Sequence, residues 1–167
     1  MLRITACLCI VLIGGICGMA MSDKLKKRRD CCREIQAVLT RISSFIRYRE
    51  LNVYEIVSEL RETSAVKKLK FIERLPTSYE TGEDFHDSWE EELKRDEYIP
   101  EEEKEVLMEF GKALGTSDTE GQLLSAEQAS ERIYNIEKQR SEEYLKKGKL
   151  FRSVGVLFGI MAGIMIV

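Results

Sequence analysis

The chain has 167 residues, with 26 Lys and Arg against 29 Asp and Glu and a single His. That balance lacks the basic excess of a general nucleic-acid binder, and 2 Pro and 11 Gly exclude collagen-like and proline-rich disordered classes. Of the five Cys, three lie in apolar sequence and Cys31 and Cys32 are adjacent. They form no disulfide framework, and without Cys-x-x-Cys a zinc site has no donor set.

The charges are unevenly spread. Arg3 is the only charged residue outside residues 22–152. Ile4 to Met21 is a run of 18 uncharged residues, about 27 Å long as a helix and close to the thickness of a bilayer core. Ser153 to Val167 is a second uncharged run, of 15 residues, which Leu150 and Phe151 extend if Arg152 snorkels. Lys24, Lys26, Lys27, Arg28, Arg29 and Arg33 follow the first run, and Lys146, Lys147, Lys149 and Arg152 precede the second. Basic residues beside an apolar span hold that side in the cytoplasm. One topology satisfies both clusters: spans at 1–22 and 150–167, both termini outside, and residues 23–149 as a cytoplasmic domain. The competing reading is a cleaved leader ending near Gly18-x-Ala20, which would make the body an exported helical binding domain with a C-terminal anchor. Gly14 and Gly18, and Gly155, Gly159 and Gly163, recur every fourth residue. That spacing suits close helix packing in a membrane, with the first span or with a second copy.

The middle reads as helix throughout, because apolar residues recur at spacings of three and four. Ile35, Val38, Leu39, Ile42, Phe45 and Ile46 mark the first helix. Asn52 caps a second that carries Val53, Ile56, Val57 and Leu60. Ala65, Val66, Leu69 and Ile72 mark a third, stopped by Pro76. Thr77 to Asp84 reads as a loop. Phe85, Trp89 and Leu93 lie four apart on the next helix. Pro100 and the acids Glu101, Glu102 and Glu103 open another, which carries Val106, Leu107, Phe110 and Leu114 and ends at Gly115. Ser117 to Glu120 reads as a capping box and Ser125-x-x-Gln128 as a second start, with Ala126, Ala129, Ile133 and Ile136 on the stripe that follows. No stretch alternates with period two. The expected fold is all-α, a bundle of about six helices flanked by two transmembrane helices.

Catalytic groups do not assemble. No phosphate loop or dinucleotide fingerprint is present. His86 beside Asp87 and Glu90 reads as a half-exposed helix residue, Glu101 to Glu105 as a solvated first turn, and Trp89 as core. The expectation is a binding or structural protein, with no enzyme activity and no cofactor.

The run Leu107-x-x-Phe110-Gly111-x-x-Leu114-Gly115-x-Ser117-Asp118-x-x-Gly121-Gln122 adds a more specific signal. Together with Ser88-Trp89, Ile46-x-Tyr48 and the two apolar ends, it resembles the stage III sporulation protein AB family. Asn52 departs from the turn expected there. The resemblance implies a cytoplasmic domain similar to those of F-type platform proteins in type II secretion and type IV pilus machines. It also implies a place in the channel complex between mother cell and forespore, in the mother-cell membrane around the forespore. The implied partners are a secretion-type ATPase, stage III sporulation protein AA, and other channel subunits. Phe110, Gly111, Leu114, Gly115, Ser117, Asp118 and Gln122 are the candidate partner-binding residues.

Overall fold

The computed structural model describes residues 2–49, 51–63, 68–79 and 84–148, with isolated positions between 150 and 161; for residues 2–15 and 17 it describes the backbone only. Among the described residues the α-helices are, in order, α1 (Leu2–Arg49), α2 (Val53–Arg61), α3 (Lys70–Arg74), α4 (Phe85–Arg95), α5 (Glu101–Ala113) and α6 (Thr119–Glu143). A π-helical turn, Tyr144–Gly148, follows α6. Among the described residues there is no strand, so the fold is an all-α bundle.

The chain divides into two compact units. One comprises Cys31–Glu137, and the other Met1–Asp30 with Lys138–Val167. In the second, the Arg29 guanidinium lies 4.8 Å from the centre of the Tyr144 ring, which ties α1 to the π turn. Among the described residues no helix is long and apolar enough to cross a membrane. The side chains of most of the first apolar run and most of the second, with Gly155, Gly159 and Gly163, lie outside those residues.

The core of the Cys31–Glu137 unit draws on every one of its helices. From α1 come Ile35, Val38, Leu39, Ile42 and Ile46, and from α2 Ile56, Val57 and Leu60. Phe71 and Ile72 of α3, Phe85, Trp89 and Leu93 of α4, Val106, Leu107 and Phe110 of α5, and Ala126, Ala129, Ile133 and Ile136 of α6 join them. These are the residues that recur at helical spacing in the sequence, because that spacing puts them on one face.

Helix ends are closed partly by neighbours in sequence and partly by distant side chains. Asn52 makes a full capping box on α2: its side chain accepts from the backbone N–H groups of Tyr54 and Glu55, and the Glu55 carboxylate takes the Asn52 N–H. The third helix is only five residues long; Leu69 is buried just before it, while Ala65 and Val66 lie outside the described residues. A helix this short cannot close its own ends. Buried Asp96, at the end of α4, accepts from the Phe71 N–H of α3 and the Tyr98 N–H, both at 2.9 Å. Arg61 of α2 donates to the carbonyls of Ile72 and Leu75. Lys104, also buried, donates to the Lys94 carbonyl at the end of α4 and to Glu101.

Two expectations for α6 are corrected. It runs unbroken through Ser125, so Ser125-x-x-Gln128 starts no helix. Its cap is Asp118, one residue after Ser117: the Asp118 Oδ1 accepts from Gly121 N–H at 2.9 Å.

Candidate functional site

The run from Phe110 to Gln122 leaves the buried face of α5, turns, and enters α6. Its first half is packed beneath Trp89. The indole Nε1–H donates to the Leu107 carbonyl at 3.0 Å, which lays the ring across α5. Phe71, Phe85 and Phe110 surround it at centroid distances of 5.2, 5.9 and 6.1 Å. Gly111 makes this possible: a Cβ there would stand 2.4 Å from Nε1. Phe110, Gly111 and Leu114 are buried, so three of the seven residues expected to bind a partner are core residues.

The second half is an exposed turn held by its own side chains. Gly115 has φ +81°, the left-handed conformation that ends α5, and a Cβ there would stand 2.5 Å from Val53 Cγ1. The Gln122 side chain reaches back over the turn. Its Oε1 accepts from Gly115 N–H at 3.1 Å and its Nε2 donates to the Ser117 carbonyl at 2.8 Å. With the Asp118 cap, this spends both polar side chains on the turn itself. Ser117 and Asp118 are exposed and Gln122 half-exposed.

His86 links this turn to α4. Its Nε2 lies 3.0 Å from the Leu114 carbonyl and its Nδ1 3.0 Å from Asp84 Oδ1. Asp84 is also the N-cap of α4, through the His86 N–H. These bonds, first to the backbone N–H and then to the ring, hold the exposed Asp84 carboxyl below its usual value. The ring acts as a structural bridge, and its sequence neighbours Asp87 and Glu90 play no part in it. Among the described residues no group of three or more His, Cys, Asp or Glu could hold a metal ion.

The other features that stood out in the sequence are also built into the core. Glu103 in the acidic run is fully buried and accepts from the Cys32 thiol at 3.3 Å, so Glu101 to Glu105 is not one solvated patch. Neither Cys31 nor Cys32 is in a disulfide, and neither has exposed surface. Burial, reinforced by Cys32, Glu103, Glu34 and Asp96, pushes the Cys31 thiol far above its ordinary value. Because both side chains are buried, thiol labelling of the folded protein would not report which side of a membrane they face.

The architecture defines an all-helical protein whose recognisable sequence run shapes a helix-to-helix corner. The description of stage III sporulation protein AB matches residues 3–167, essentially the whole chain, and the chain belongs to that family of sporulation proteins. No curated protein and no solved structure matches it.

Proposed function

We propose that this protein is a non-enzymatic platform subunit of the mother cell–forespore channel, anchored by residues 1–22 and 150–167 with its helical body in the cytoplasm, and that it docks a secretion-type ATPase. The observation that carries this reading is the family match over residues 3–167. The distribution of charge supports the topology, because the basic clusters flank the same middle region. That Cys31 and Cys32 are not in a disulfide is compatible with a reducing compartment.

The docking surface is the turn at Gly115, Ser117, Asp118 and Gln122. Its backbone is already fixed by the Asp118 cap and the Gln122 bridge, so a partner loses little entropy in ordering it. Phe110, Gly111 and Leu114 hold the turn in place from inside.

Reporter fusions and copurification test this reading. A fusion after Arg95 should report cytoplasm and one after Val167 the outside. The full chain, extracted in detergent from sporulating cells, should bring stage III sporulation protein AA with it. An external signal after Arg95, or a mature protein beginning near Met21, would overturn the platform and favour the exported domain.

A further inference from the structure

The face formed by α1 and α6 within the Cys31–Glu137 unit is not used by the proposal above. A groove of about 550 Å³ runs between the two helices, with Thr40, Ser43 and Arg47 on the α1 wall and Glu120, Leu124 and Glu127 on the α6 wall. The hydroxyls of the α1 wall are turned back on their own helix: Thr40 donates to the Gln36 carbonyl at 2.8 Å and Ser43 to the Leu39 carbonyl at 2.9 Å. Apart from Arg47, what this wall offers is small, a surface that lets another helix come close. Beside it stands a ridge. Leu124 is 55% exposed, with Glu120 and Glu127 one turn to either side. Among the described residues neither these two acids nor Arg47 makes an ion pair, although all three line the groove.

Ridge and groove lie on the same face, which is the condition for a two-fold interface. The registers also agree. The Arg33–Glu137 pair, at 2.9 Å, and the groove that Arg47 lines with Glu120 and Leu123 together show that α1 and α6 run antiparallel. If a second α6 crosses antiparallel with its Leu124 against the first Leu124, its Glu127 falls level with Glu120, opposite Arg47. We propose that the α1–α6 groove seats α6 of a second copy of this chain, with each Leu124 in the other copy's groove and each Arg47 facing Glu127 of the second copy.

The test is cross-linking of the full chain in membranes, with Cys7, Cys9 and Cys17 replaced by Ser and buried Cys31 and Cys32 retained. Leu124→Cys should give a dimer under mild oxidation, whereas Glu90→Cys, exposed on α4, should give little. Arg47→Glu should lower the Leu124→Cys dimer yield by roughly tenfold or more, because like charges would then oppose each other. Adding Glu127→Arg should restore it. All four positions are exposed, and unchanged melting of each variant shows that folding is not the cause. Equal yields at Leu124→Cys and Glu90→Cys, a cross-link from Leu124→Cys only to another protein, or indifference to the charge swap would each overturn the proposal.

Discussion

The two halves of the run from Phe110 to Gln122 are adjacent in sequence and opposite in physical character. The first half is buried: Gly111 is glycine because the Trp89 ring occupies the place of its side chain. The second half is exposed: Gly115 is glycine because the backbone there is left-handed and lies against Val53. One recognisable run thus has two separate causes. Only the exposed half leaves surface that a partner can reach.

Substitutions should divide along the same line, with the largest effects inside. Trp89→Ala should cost about 3–5 kcal/mol in urea unfolding, as the loss of a buried aromatic ring does. Gly111→Ala should cost about 1–3 kcal/mol by overpacking against the indole, against alanine's ordinary advantage in a helix. In the Trp89→Leu background that penalty should shrink, and a penalty of the same size there would break the assignment of Gly111 to Trp89. At the turn, Gly115→Ala should cost about 1–2 kcal/mol from the left-handed backbone, with any push on Val53 added to it.

The two regions also part company in pH. The Cys31 thiol belongs to the core, and its value in the folded protein is raised above the ordinary 9.0. Its contribution is therefore complete below pH 9 and is lost as pH rises beyond, at up to about 1.4 kcal/mol per pH unit. The alkaline slope of stability should flatten in Cys31→Ala. Asp84, beside the exposed turn, has the opposite sign. Its carboxyl is lowered from the ordinary 3.8, so its contribution is present above that pH and is lost as pH falls through the lowered value. Asp84→Asn should reduce the acid slope only slightly, since the group is in water.

The smallest stability effects belong to the turn's polar side chains. Asp118→Ala should cost about 1 kcal/mol, the usual value of a helix cap, and Gln122→Ala a similar amount or less. A double variant that melts like the native chain would show that these side chains face solvent and that the turn is not held as described.

Periodicity made most of the fold legible. The buried faces of α1, α2, α4, α5 and α6, the Asn52 cap and the Gly115 terminus all follow from local sequence, because each depends on residues within two turns. Leu69, Ile72 and Pro76 marked the third helix as well, but local sequence could not show how short α3 is or which side chains secure it. Asp96 reaches Phe71 from 25 residues away and Arg61 reaches Leu75 from 14, and no spacing rule encodes such pairs. The candidate site was half legible for the same reason. The glycines and the cap marked the corner, but the burial of Phe110, Gly111 and Leu114 depends on Trp89 arriving from another helix. The sequence pointed to Ser117 as the cap, and the bond from Gly121 moves it one residue on, to Asp118.

The central claim is that the exposed half of the run docks the ATPase while the buried half only holds it in place. Ser117→Arg tests it most directly. Ser117 is exposed, and the bond it makes to Gln122 uses its backbone carbonyl, so a large side chain at this position leaves the turn's hydrogen bonds intact. The measurement is copurification of the ATPase with the full chain, alongside the melting temperature. The account predicts an unchanged melting temperature and lost copurification. A Ser117→Arg protein that is stable and still carries the ATPase would contradict it.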